Sequence, residues 1–237
     1  MNLMPVIAQG GGFVRDRTGQ STCVSDDGFC PDWIWDNFDR YVTPTWEHLY
    51  LTLISVGIGF AIAVALGLLA HRQRWLVGPI TWVTSVLYTI PSPAAFLLLL
   101  PLTGRGNVTA IVALTAYTQV IIFRNVVNGL ANVPADAVDA AIGMGMTPNQ
   151  RLLRVEVPLA MPEILAGLRI AAATTVGLAA FAFLAGAGGL GTQIAAQITF
   201  KSNVVVAGGL ATLMAAGLDL LVLGFQRAVT PWQRAAS

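Results

Sequence analysis

Few residues of this chain are of types that do chemistry, and they are widely spaced. Asp219 is a lone carboxylate inside an apolar run, and Arg124 is a lone guanidinium inside another. A charge at membrane depth is costly and persists with a partner or a water path. Asp219 lies about 24 Å along a helix from Asn203, and Arg124 about 25 Å from Asn107, at the usual helical rise. Equal depth makes an Asp219–Arg124 ion pair the expected role, tying the two runs together. Proton uptake by Asp219 is the chemical alternative. Cys23 and Cys30 are the chain's two cysteines. In an oxidising compartment they could close a small disulfide loop; elsewhere they stay thiols. His48 and His71 flank an apolar run and read as interface residues, not ligands. The sequence offers no catalytic triad, metal cluster or paired carboxylates. The single lysine, Lys201, follows Phe200, whereas a phosphate-binding loop requires Gly-Lys-Ser or Gly-Lys-Thr. The chain is therefore not itself an ATPase, and no enzyme site is expected in it.

The elements that would position these residues are membrane spans. Charged residues make up 11% of the 237 residues and hydrophobic ones 55%, against about 25% charged in a soluble domain, which excludes a water-facing globule. Seven of the twelve acidic residues lie at or before Glu47, so a polar N-terminal segment precedes a membrane domain. Residues 1–45 lack the basic and apolar regions of a signal peptide and read as an extramembrane tail. Trp33-Ile34-Trp35 in it either lies at the headgroup level or packs locally. A span needs about 20 apolar residues. Runs at 49–70, 75–102, 108–130, 164–185 and 204–226 meet this. Pro91-Ser92-Pro93 breaks the second run. The fold class is all-α polytopic, with five transmembrane helices. The membrane domain is 46–230, and 231–237 is a short tail. Arg72, Arg74, Arg124, Arg151, Arg154, Arg169, Arg227 and Arg234 collect on one side. The positive-inside rule makes that side cytoplasmic and the N-terminus external.

The longest cytoplasmic connection, 131–163, is the informative one. Pro134 suits a first helical turn, and Asp136 and Asp139 suit the positive end of a helix. Val138, Ala141, Ile142, Gly145 and Met146 recur at helical spacing and form one small, apolar face. Thr147-Pro148-Asn149-Gln150 has the capping-box pattern of a second helix, which Pro158 and Pro162 should end. A membrane-surface helix carries lysine, arginine and large apolar residues. The first helix here has small residues and no base, so it suits a groove in another protein.

This connection resembles the coupling loop of ABC importer permeases, with pattern Glu-Ala-Ala-x3-Gly-x9-Ile-x-Leu-Pro. The chain has Asp139-Ala140-Ala141, Gly145 and Val155-x-Val157-Pro158 at that spacing, departing only by Asp for Glu and Val for Ile and Leu. The resemblance covers residues 46–226. It is closest to the osmoprotectant group (glycine betaine, carnitine, choline), through Trp46-Glu47-His48-Leu49, Thr89-Ile90-Pro91-Ser92, Gly143-Met144-Gly145-Met146 and Gly186-Ala187-Gly188-Gly189-Leu190-Gly191. Methionine importer permeases share a similar glycine stretch. The resemblance implies a type I importer permease in a bacterial inner membrane. An ATPase subunit would dock on Asp139, Ala140, Ala141, Ile142, Gly145, Met146 and Pro158, and ATP and Mg would bind there, not here. It further implies a second permease chain, identical or related, and a separate external solute-binding protein. Membrane lipid surrounds the spans, and no nucleic acid is expected. Broken spans often line transport paths, so Tyr88, Ser92, Gln119 and Asn125 are candidate lining. The glycine stretch reads as a flexible or re-entrant external turn. The alternatives are an ion-coupled secondary transporter using Asp219, a permease for another small solute such as an amino acid, and a membrane scaffold.

Overall fold

The computed structural model describes residues 22–232, which are helical with no strand among them. The helices are α1 (Thr22–Ser25), α2 (Pro31–Asp36), α3 (Val42–Arg72), α4 (Val77–Thr89), α5 (Ser92–Thr103), α6 (Asn107–Ala131), α7 (Ala135–Gly143), α8 (Pro148–Arg151), α9 (Val157–Ala179), α10 (Leu190–Ala196) and α11 (Lys201–Val229). Four segments are long and apolar enough to cross a membrane: Phe38–Arg72, Asn107–Ala131, Pro148–Ala179 and Lys201–Val229. The α4–α5 pair, bent by 100° between them, supplies a fifth. Two links show that this pair traverses the bundle. Arg72, at the end of α3, donates to Asn149 in α8. At the other end of the bundle, the Gly106 N–H before α6 donates to the carbonyl of Ala185, beyond α9.

α6 is the central helix, packed between α3 and α9, with α11 on the far side of α9. Its buried Leu114, Ile122, Phe123 and Val126 have almost no exposure. In lipid no hydrophobic force drives helices together, so close approach at small residues provides the packing. A Cβ on Gly67 would stand 2.4 Å from Val126 Cγ1, and one on Gly167 2.5 Å from the Asn125 Cβ. Gly167→Val is therefore expected to wedge α9 from α6 and destabilise the bundle by about 1–3 kcal/mol. The check is thermal unfolding in detergent: Gly167→Val should melt below the parent, while Gly177→Ala, with nothing within 4 Å of its Cβ, should not. Outward faces are apolar where lipid would lie, with Ile54, Ile58 and Ile62 on α3 and Leu213, Leu220, Leu221 and Phe225 on α11 exposed.

Two expectations about proline meet different outcomes. Pro91 does break the second span: Ile90 and Pro91 are extended, with ψ of 127° and 129°. A carbonyl freed there, that of Ile90, accepts from the Tyr117 hydroxyl, as a backbone group without water must find a protein partner. Pro158, by contrast, does not end the helix begun at Pro148. Residues Leu152–Glu156 wind as a π-helix, and Pro158 falls in the first turn of α9, where its missing N–H is tolerated. Pro162 lies inside α9. The fourth span is thus Pro148–Ala179, starting well before residue 164 and ending before 185.

Residues 22–45 of the N-terminal segment are tied down. Cys23 and Cys30 are disulfide-bonded, and the loop between them caps α11. Lys201 N–H donates to the Asp27 carbonyl at 3.2 Å, Ser202 Oγ accepts from Cys30 N–H at 2.7 Å and donates to the Gly28 carbonyl. Tyr41 donates to Asn203 Oδ1 at 2.7 Å. Trp33 packs locally, edge-on to Phe200 with centroids 4.6 Å apart, whereas Trp35 is exposed.

Candidate functional site on the loop between the third and fourth spans

α7 begins after Pro134, whose carbonyl accepts from Ala137 and Val138, with Asp136 in the first turn. It ends at Gly143, so Gly145, which the helical spacing put on its face, lies beyond the helix. The ending is a Schellman motif: Met146 N–H donates to the Ala141 carbonyl at 3.1 Å and Gly145 N–H to that of Ile142 at 2.9 Å. The motif needs a left-handed residue, and Gly145 has φ of 75°. The expected capping box follows. Thr147 Oγ1 accepts from Gln150 N–H, and Thr147 N–H donates to Gln150 Oε1 at 2.9 Å.

The face the sequence pattern joins is divided in the structure. Ala141 is fully buried against its own chain, while Asp139, Ala140, Ile142 and Gly145 are exposed. Met146 and Pro158 are half-buried. Ile142 is 52% exposed and Met144 68%, so the outward surface is the C-terminal end of α7 and its turn. Met144 was not singled out for docking in the sequence because the helical spacing skips it; the turn after Gly143 turns it outward. Ile142 and Met144 thus leave apolar surface uncovered outside the spans, and methionine is a side chain that adapts to irregular contours.

Beneath α7 lies a cluster that residue types and spacing did not reveal. Glu156 is buried, at 4% exposure. Its Oε2 meets His71 Nε2 at 2.6 Å, and its Oε1 accepts from Arg151 Nε at 2.6 Å. A cavity of about 630 Å³ opens beside it, lined by His71, Arg74, Val133, Asp139, Arg151 and Glu156 among others. Asn132 Nδ2 donates to Glu163 Oε1 at 2.8 Å, joining the end of α6 to α9.

The expected Asp219–Arg124 pair is not formed. Arg169 in α9 grips Asp219 bidentately, Nε to Oδ1 and Nη2 to Oδ2, both at 2.8 Å, and Arg124 donates to Ser85 Oγ at 2.9 Å. Depth along a helix is one coordinate; α11 packs chiefly on α9, which decides the partner. Of the candidate lining residues, Tyr88 is 44% exposed at the break, its ring edge-on to Tyr117 with centroids 5.8 Å apart, and Ser92 starts α5. Gln119 is buried against α3, donating to the Gly59 carbonyl, and it also lines an apolar cavity of about 410 Å³ with Thr84, Leu87 and Thr115. Asn125 donates to its own helix at Ile121 and stands against Gly167. Among the described residues no hydrogen bond joins any two of the four.

The glycine stretch, expected as a flexible or re-entrant turn, is tightly packed. Gly189 N–H donates to Glu47 Oε2 at 2.9 Å, and Leu190 N–H to His48 Nδ1 at 3.3 Å. His48 Nε2 in turn reaches the Val176 carbonyl at 2.9 Å. A Cβ on Gly191 would lie 1.9 Å from the Ala180 carbonyl oxygen, so glycine is needed for that approach.

Comparison with known proteins agrees with this architecture. The family model described as binding-protein-dependent transport system inner membrane component matches residues 56–235. The chain is 37% identical over 203 residues to the osmoprotectant import permease protein OsmW of Salmonella typhimurium, covering 83% of this chain and 94% of that protein. It is 35% identical over 189 residues to the choline transport system permease protein OpuBB of Bacillus subtilis, covering 79% and 87%. The solved MetNI methionine ABC transporter in an inward-facing conformation matches with a TM-score of 0.69 at 26% identity, over 85% of this chain and 100% of that one. A multi-pass bundle crossed five times, with an ordered extramembrane elbow between the third and fourth crossings, thus belongs to the binding-protein-dependent transport system inner membrane components: it is an ABC importer permease subunit.

Proposed function

We propose that this permease imports a small osmoprotectant of the glycine betaine, choline, carnitine or proline class, driven by a separate ATPase subunit that docks on the outer end of α7. The observation that carries the docking is the exposed apolar surface of Ile142 and Met144, set at a fixed angle by the Schellman turn and the capping box. Relatives named for osmoprotectants and choline support the solute class. ATP and Mg belong to the partner. Two permease chains, alike or related, form the path between them, with Tyr88 and Ser92 at the break as its nearest polar lining. The N-terminus and glycine turn face outside, where a solute-binding protein delivers its load, and the Arg-rich end faces the cytoplasm. Asp219, engaged by Arg169, holds α11 to α9.

The test is reconstitution in liposomes with its ATPase and solute-binding protein. The expected result is choline or glycine betaine uptake that requires ATP, together with ATP hydrolysis stimulated by the loaded binding protein. Uptake that persists without the ATPase and follows an ion gradient would replace this reading with secondary transport.

A further inference from the structure

We propose that Glu156 is a positioning residue that couples movement of the docking loop to the external glycine turn through α3. The proposal rests on α7 being the ATPase docking site. α3 is a 31-residue helix with polar attachments at both ends. At one end His71 bonds the buried Glu156 at 2.6 Å, and Arg72 bonds Asn149 at 2.8 Å. At the other end Glu47 and His48 hold the backbone N–H groups of Gly189 and Leu190. Between these ends α3 is one continuous helix seated closely on α6, with Thr118 filling the space at Gly59 and Val126 that at Gly67, so a displacement at one end of α3 is carried to the other.

Glu156 is suited to this more than to holding the fold together. A buried ion pair is a weak stabiliser, often matched or exceeded by apolar residues of like volume. Here the carboxylate closes the π-turn of Leu152–Glu156, a winding frequent at functional sites. It takes one partner from α3 and one from α8, and borders a cavity of about 630 Å³. Its two hydrogen bonds make α3 and the elbow move together, while the cavity leaves room for that movement.

The experiment uses the full permease with its ATPase in liposomes and a cysteine placed at exposed Ala195 of α10. The native cysteines are disulfide-bonded and do not compete for a thiol label. In the parent, adding ATP should change the labelling rate at 195. In Glu156→Gln the ATPase should stay bound and hydrolyse ATP, while the ATP-dependent change at 195 and the choline taken up per ATP each fall about tenfold, within the usual span of site-to-site coupling. His71→Ala, at a residue that is only partly buried, should act in the same direction. The double variant should be no worse than Glu156→Gln alone, because both remove one link. An ATPase that fails to bind the parent would refute the docking site itself. A bound ATPase with an undiminished response in Glu156→Gln would overturn the coupling role. So would two independent, multiplying effects, or loss of ATPase binding in Glu156→Gln beside an intact response in His71→Ala.

Discussion

Gly145→Asp is expected to abolish uptake while leaving the chain inserted in the membrane. The argument is conformational first. Gly145 sits at φ of 75°, and a non-glycine residue there costs about 1–2 kcal/mol. Nothing lies within 4 Å of a Cβ at this position, so the penalty is in the backbone and not in crowding. Relieving it would turn the chain away from the Schellman geometry and re-aim Met144 and Thr147, which set the outward surface and the start of α8. The second effect is electrostatic. An unpaired carboxylate would stand beside exposed Met144 and lose its water when a partner docks. Such a charge costs on the order of 3 kcal/mol, roughly a hundredfold in affinity. Gly145→Asn separates the two effects, since asparagine adopts the left-handed conformation more readily than other residues and carries no charge. It should retain most ATPase binding and uptake. Co-purification of the ATPase, uptake in liposomes and membrane fractionation measure the three quantities. Full uptake by Gly145→Asp would remove α7 from the docking site.

Neutralising one member of the Arg169–Asp219 pair should sharply reduce the amount of folded permease, and neutralising both should restore it. The two side chains meet through parallel hydrogen bonds of 2.8 Å, a fork geometry particular to arginine and a carboxylate. Removing one partner strands the other charge within a span, where partners are scarce. Asp219→Leu and Arg169→Leu should therefore each accumulate poorly, and Arg169→Lys should recover little, because an ammonium cannot form the fork. The double leucine variant leaves no stranded charge and should return both protein level and uptake. The same variant decides whether Asp219 carries protons. Normal levels of double-leucine protein without uptake would show that the carboxylate takes part in transport. Restored uptake assigns the pair to holding α9 and α11 together.

The membrane class, the run of spans and the two-helix connection between the third and fourth spans were legible in the sequence, because each depends on local information. A run of about 20 apolar residues is enough to mark a span, and Pro91 was enough to mark its break. The capping box at Thr147–Gln150 was read correctly because it closes within four residues. The sequence pattern at Asp139, Ala141 and Gly145 found the loop but put Gly145 inside the helix. Helical spacing does not distinguish the last turn of a helix from the left-handed glycine that ends it.

Prolines 158 and 162 were misread for a related reason. Proline removes a donor whether it stops a helix or starts one, and only the π-turn before Pro158 decided which. Relations between helices were the part that tertiary structure alone settled. Counting residues gave Asp219 and Arg124 the same depth, but a side chain's partner also depends on which helix lies beside it and how that helix is rotated. Packing of α11 on α9 gave Asp219 to Arg169. Packing of the end of α3 against the elbow buried Glu156 between His71 and Arg151, residues up to 85 positions apart. Packing of Glu47 and His48 against Gly189 and Leu190 turned a stretch that looked flexible into a fixed turn. Apolar run length and short-range caps are properties of neighbouring residues and so were written in the sequence, whereas hydrogen bonds between helices require the whole bundle to choose its neighbours first.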